Sequence, residues 1–164
     1  MHPMPRAPFQ ILVIPFIHLP DSNPRYALFR RVDNQLWQFI AGGGENNESP
    51  QQAASREAFE EAAIPATSPL IPLQSQHQIP TSAFPNNPWP PTLSHIPEHT
   101  FAIDLTPSPP SLPHPNPANI QLSAEHTHYR WHDYQTALNH LHWQSNRTAL
   151  TELHTLLTSP QAIK

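Results

Sequence analysis

The sequence contains no cysteine. Disulfides, thiol nucleophiles and cysteine-ligated zinc are therefore excluded, and so is any redox clue to compartment. Lysine is almost missing too: Lys164 is the single one, beside seven arginines, and the net charge is −4. With no basic patch, nucleic-acid binding is not expected as the main role. No apolar run approaches the ~20 residues of a membrane helix, so no membrane partner is expected. The stretch Ile11 to Leu19 is apolar, but Pro15 interrupts it and no cleavage site follows, so it reads as a strand and not a signal peptide. A cytoplasmic protein is the default expectation. Glycine is scarce, with 3 residues, and all stand together at Gly42 to Gly44. That concentration implies a turn, with backbone at positive φ or in close approach to a ligand.

What is abundant is proline and histidine, with 23 and 12 residues in a chain of 164. That length suits a single domain over 1–164. The prolines gather at about 80–97 and 107–117 and read as loop chemistry, the second cluster as a polyproline-like excursion or a hairpin tip. His126 with His128, or His140 with His142, would suit zinc. The histidines are scattered, however, and a bias toward His, Pro, Gln and Asn explains them better.

The segment from Gly42 to Ile64 carries most of the chemistry. Ser49 is a plausible N-cap, Pro50 suits a first helical turn, Gln51 to Ala63 are mostly good helix formers, and Pro65 ends the run. Glu57, Glu60 and Glu61 follow i, i+3, i+4 spacing, so they project from one face within an arc of roughly 100°. Their mutual repulsion weakens a bare helix by a few tenths of a kcal/mol per pair. A hard divalent cation such as Mg²⁺ or Mn²⁺ would remove that cost. Glutamate-rich faces are ordinarily just solvated, so the three residues alone do not decide the matter.

The frame around them does. Gly42, Glu48, Arg56, Glu57, Glu60, Glu61 and the apolar Ile64 fall at the spacing of a 23-residue signature, and the segment resembles the Nudix box of the Nudix hydrolases. One position departs: the family has glycine where this chain has Ala63, which touches the turn after the helix and no ligand. Arg6-Ala-Pro-Phe-Gln-Ile-Leu-Val-Ile, Leu36-Trp-Gln-Phe-Ile-Ala-Gly-Gly-Gly-Glu and Trp143-Gln-Ser-Asn-Arg-Thr-Ala-Leu are similar to bacterial Nudix pyrophosphatases related to the dihydroneopterin triphosphate enzyme.

The resemblance implies an α/β/α sandwich with a mixed sheet, and a metal-dependent pyrophosphohydrolase that splits a nucleotide or pterin triphosphate by water attack. It implies Glu57, Glu60 and Glu61 as ligands of Mg²⁺ or Mn²⁺, with the Gly42 carbonyl a further candidate, and Glu48 and Arg56 as structural ion-pair partners. Glu45 is read as a solvated loop residue. Glu125, in a Glu-His…Tyr-Arg-Trp pattern seen in one branch of the family, is the candidate for a further ligand or base, and Glu98 is its rival. Arg31 could pair a phosphate bidentately, and Trp37 could stack on a base or pterin ring. Each has a bland counterpart, a surface arginine and a core tryptophan. Asn146 and Arg147 stand as helix cap or site residues. The partner is a small phosphoanhydride molecule, and an oligomer is possible. A Nudix-fold module that binds a nucleotide without hydrolysing it is the alternative; retention of every box glutamate favours the enzyme.

The remaining pattern gives strands at Phe9 to Leu19 (with an edge or bulge at Pro15), Arg25 to Val32, Leu36 to Ala41, Leu70 to Gln78 with Pro72 marking an edge, His99 to Leu105 and His126 to His132. Residues 1–8 read as a tail and Pro80 to Pro97 as an irregular loop. Ile120 to Leu122 is a candidate for brief strand pairing. Asp133 caps a helix from Tyr134 to about Leu141, and Ser145-Asn146 starts a last helix from Arg147 to Leu157.

Overall fold

The computed structural model describes residues 6–107 and 120–159. The rest of the tail ahead of Arg6, and the second proline cluster beyond Pro107, lie outside the described residues.

The organising element is β1 (Arg6–Ile17), a strand buried on both faces. Phe9, Ile11 and Val13 enter one core cluster, while Leu12, Ile14 and Phe16 enter the other. Side chains alternate along a strand, so a run apolar at every position must have protein on both sides. Each such Leu, Ile or Phe contributes roughly 1.5–3 kcal/mol by burial. The strand begins at Arg6, three residues earlier than the apolar pattern indicates.

Around β1 lie β2 (Arg25–Arg31), β3 (Trp37–Gln38), β4 (Ile40–Glu45), β5 (Leu70–Pro80), β6 (His95–Asp104) and β7 (His126–His132). The spatial order is β3-β2-β1-β6-β5, with β4 also paired to β1 and β7 to β2. Only β1 and β6 run parallel; the other pairs are antiparallel. Helix α1 (Pro50–Ala62) covers the first core cluster, and α2 (Tyr134–His140) and α3 (Gln144–Thr158) the second. The result is the expected α/β/α sandwich on a mixed sheet.

Several local expectations are corrected. Pro15 lies in a central strand, not at an edge. Its missing N–H costs little because β1 pairs with β4 up to Val13 and with β2 only from Phe16, so Pro15 sits where the strand changes partner. The single strand expected over Leu36 to Ala41 is broken at Phe39: β3 pairs with β2, β4 with β1, and the Asn146 side chain accepts the Phe39 N–H at 2.8 Å. The loop at 80–97 is shorter than expected, because β6 starts at His95. Pro97 is admitted there because the parallel pairing with β1 starts only at Glu98. Ile120 to Leu122 forms no strand; the Gln121 N–H instead caps the Ala62 carbonyl at the end of α1. Helix α3 begins at Gln144, ahead of the polar pair at 145–146, with Trp143 at its N-cap position.

At the sheet edge β5 bulges between Pro72 and Gln76. The Glu152 carboxylate, from α3, accepts the N–H groups of Gln74 (2.6 Å) and Ser75 (2.7 Å) and the Ser75 hydroxyl. Thr100 donates to the Ser75 carbonyl at 2.6 Å. The backbone groups released by the bulge are thereby satisfied.

Candidate active site

Helix α1 is fixed at both ends. At its start the Ser49 hydroxyl accepts the Gln52 N–H (3.1 Å) and the Gln52 side chain accepts the Ser49 N–H (2.9 Å), a reciprocal capping box with Pro50 in the first turn. At its end Ala63 takes a left-handed conformation, φ 58°, while its N–H bonds the Phe59 carbonyl and Ile64 N–H the Ala58 carbonyl. Alanine thus occupies the position that glycine fills most easily. Ala53, Ala54, Ala58 and Ala62 are buried against the sheet, and their small side chains let the helix backbone sit close to β1 and β4.

The three glycines sit in β4, not in a turn, and none has positive φ. What they supply is space. A Cβ at Gly42 would collide with the Glu57 carboxylate, and one at Gly43 with the Arg6 guanidinium. Bare backbone therefore lets these two charged groups lie against the strand.

Arg56 joins the pieces. Its Nε donates to Glu48 Oε2 at 2.8 Å and its Nη2 to Glu48 Oε1 at 3.1 Å and to the Gly43 carbonyl at 2.9 Å. Nη1 donates to Glu57 Oε1 at 2.9 Å and Glu60 Oε2 at 3.1 Å. Glu48 in turn accepts the Glu45 N–H at 2.7 Å. Glu45 closes β4, and its carboxylate lies 3.7 Å from Arg56.

Glu57 and Glu61 face inward. Both Glu61 oxygens are buried without a donor, and its nearest acidic neighbour is Glu57. Two carboxylates so placed can bond only if one keeps a proton. Burial first, then Glu57 and Glu125, pushes the Glu61 carboxyl up to about 10; burial also raises Glu57. His126 is buried 3.7 Å from Glu61, and burial followed by Arg31 drives it down to about 4, so it stays neutral and supplies no positive charge to Glu61. Glu60 is exposed and turned to Arg56. Among the described residues no three His, Asp or Glu side chains converge as a ready-made metal cage. The donor set nonetheless fits a hard cation. The Glu61 carboxylate is orphaned, the Glu57 carboxylate beside it is bonded by Arg56, Glu60 is on the same helix, and magnesium is ordinarily held by one or two carboxylates completed by substrate phosphates.

Glu125 reaches this cluster through its loop. Ser123 N–H bonds the Glu61 carbonyl (3.4 Å), and Val32 N–H bonds the Glu125 carbonyl (2.9 Å). Glu125 is thereby close enough to act electrostatically on both Glu61 and Arg31. Arg31, at the end of β2, donates from Nε and Nη2 to the Asp33 carboxylate at 2.9 and 3.0 Å.

A cavity of about 610 Å³ opens over these groups, lined by Gly42, Gly43, Glu57, Arg31 and Glu125 at one end. Arg6 also lines it. Its guanidinium lies 5.3 Å from the Phe84 ring centre and 5.5 Å from that of Trp89, and its buried Nε has no partner. The apolar pattern leaves Arg6 in a tail; the polar Arg6 and Gln10 on either side of Phe9 are the faint signal of a longer strand. Glu98, Gln38, Asn146 and Trp143 line the other end. Trp37 does not line the cavity. It packs on the α2 side, with the His140 ring 6.3 Å away and a backbone bridge to Leu141.

The NUDIX domain model matches residues 17–153. The chain belongs to the Nudix hydrolase family. Members of the family hydrolyse phosphoric anhydride bonds. A Listeria monocytogenes structure described as a Nudix hydrolase is 39% identical, with a TM-score of 0.77, over 92% of this chain and 94% of that one. The E. coli dihydroneopterin triphosphate pyrophosphohydrolase is 26% identical, with a TM-score of 0.67, over 90% and 95%. An octanoyltransferase from Myxococcus xanthus is 31% identical over 133 residues; these are 80% of this chain but 32% of that protein, so the chain spans about a third of its length. Glu57, Glu60 and Glu61 all lie on α1, where Glu57 lines the cavity, and Arg56 and Glu48 tie that helix to β4. No helix among the described residues is long and apolar enough to cross a membrane.

Proposed function

We propose that this Nudix protein is a metal-dependent pyrophosphohydrolase that cleaves a diphosphate linkage in a nucleotide or pterin triphosphate, acting as a single domain in the cytoplasm on a small-molecule substrate. The observation that carries the reading is the buried, donorless Glu61 carboxylate beside Glu57, which lines a cavity whose walls also hold Arg6 and Arg31. A triphosphate there meets donors on two sides. Arg6 offers its unpartnered Nε. Arg31 offers Nη1, or both bonding nitrogens if phosphate displaces Asp33. Mg²⁺ or Mn²⁺ held by Glu57, Glu60 and Glu61, with the Gly42 carbonyl a further donor, would supply neutralisation of the polyphosphate and polarisation of the attacked phosphoryl group. Glu125 accepts the proton of the attacking water. A new P–O bond forms to that water, the bridging P–O bond breaks, and its electrons leave on the released phosphate or pyrophosphate. Glu48 and Arg56 hold α1 in place and touch no reacting atom.

The deciding assay measures phosphate and pyrophosphate release from nucleoside triphosphates, sugar nucleotides, dinucleoside polyphosphates and dihydroneopterin triphosphate, with and without Mg²⁺. Metal-dependent release is expected. No hydrolysis of any of them, together with a ligand-induced rise in Tm, would establish a binding module instead. Glu60→Gln is expected to lower kcat on the order of 10²-fold or more, the scale of losing a charge-stabilising group. Its fold should persist, because the side chain is 53% exposed. Unchanged turnover in that variant would refute the metal assignment.

A further inference from the structure

The end of the cavity away from α1 holds an acid that the cleavage chemistry does not use. Glu98 is 5% exposed and its Oε1 meets no donor. Burial raises its carboxyl above the ordinary range, and no cation opposes that; Ser145 is the one neighbour that favours the ionised form. The sheet register shows where the side chain stands. His77, Glu98, Gln10 and Gly43 are successive partners across β5, β6, β1 and β4, so they form one row on one face. Gly43 and Gln10 belong to the triphosphate end of that row through Arg6, which touches both. Glu98 is the next step along it, away from α1.

The surroundings are those of a flat ring. Trp143 and Ile79 line the same cavity, and Phe84, which lies against Arg6, lines it between the two ends. Gln38 and Asn146 line it too and are buried, but the Asn146 oxygen is already committed to the Phe39 N–H. Glu98 is the carboxylate at this end of the cavity, with Oε1 left without a donor. An ionised carboxylate offers acceptors only, side by side, and donors brought to it favour that ionised form. Its complement is a ring edge with two adjacent N–H donors. An amino-oxo pyrimidine ring has that edge. Adenine and cytosine present a donor beside an acceptor, and uracil presents one N–H between two carbonyls.

We infer that Glu98 is a specificity-determining residue of this site, accepting the ring N–H and the adjacent amino N–H of an aminopyrimidinone, as in guanine or a reduced pterin. The inference rests on the triphosphate reading above and narrows its substrate class. It also gives Glu98 a task other than that of the base, for which Glu125 stands beside the box carboxylates.

Three measurements test it. On the unaltered protein, kcat/KM for GTP should exceed that for inosine triphosphate, which lacks the amino donor, by at least about tenfold. It should exceed that for ATP similarly, and dihydroneopterin triphosphate run in parallel separates a pterin from a purine preference. In Glu98→Gln, which presents one donor and one acceptor, the GTP-to-ATP ratio of kcat/KM should fall by about tenfold or more, mainly through KM. Calorimetric binding of the α,β-methylene analogues of GTP and ATP with Mg²⁺ reads the same preference without turnover. Equal handling of GTP, inosine triphosphate and ATP overturns the assignment, as does a uniform change in Glu98→Gln or a preference for ATP. If none of the triphosphates is hydrolysed the pyrophosphohydrolase reading fails by itself, and the analogue titration still decides the role of Glu98.

Discussion

Among the described residues three carboxyl groups are raised by burial, and of these Glu98 stands apart from the box cluster. It offers a pH test of a single residue. A carboxyl whose folded pKa lies above its unfolded value binds its proton on folding. Its contribution is therefore fully present below the unfolded value, near 4.5, and is lost as pH rises toward the folded value. Glutamine at 98 removes that dependence. The Tm of Glu98→Gln minus that of the parent, measured without ligand, should increase between pH 4.5 and pH 8. A flat difference would mean that burial does not raise the Glu98 carboxyl. At this scale legibility was uneven. Glu57, Glu60 and Glu61 could be read because helical spacing alone puts them on one face. Arg6 and Glu98 could not, since each becomes a cavity residue only through cross-strand register. Trp37 and Trp143 show the same limit: a strand of two residues has too little alternation to say which way its tryptophan points.

Among the elements, α1 was the most readable because its signals are chemical. Ser49, Pro50 and Gln52 each act at the position their chemistry favours. Ala63 is the exception, with a Cβ in left-handed backbone. Ala63→Gly should stabilise the protein by about 1 kcal/mol, the usual difference at such a cap. For a chain of this size that is a Tm gain of about 2–4 °C. A loss of stability would mean that the alanine methyl packs usefully and outweighs the backbone strain. Less was legible where tertiary partners set the boundaries. The break at Phe39 depends on an asparagine 107 residues away. Helix α3 begins at Gln144, after a Trp143 N-cap that makes no side-chain cap bond, so its start carried no local mark.

For the whole molecule, the sandwich followed from the order of strands and helices, but the centrality of β1 did not. A doubly buried apolar run and an interrupted edge strand look alike until partners are known. The fold now predicts a gradient of local stability. Amide hydrogen exchange should be slowest at Ile11 to Val13, which have partners on both sides and core on both faces, and markedly faster along β5. Comparable protection of both strands would contradict the topology described.

The same edge has a bearing on behaviour in concentrated solution. An outermost strand with free N–H groups is a template on which another chain can add. Here Pro72 and Pro80 have no N–H to offer, and where β5 leaves β6 the two nearest amides are already held by Glu152. One carboxylate borrowed from a helix thus makes the border of the sheet a poor surface for strand addition, a form of colloidal protection placed far from any substrate.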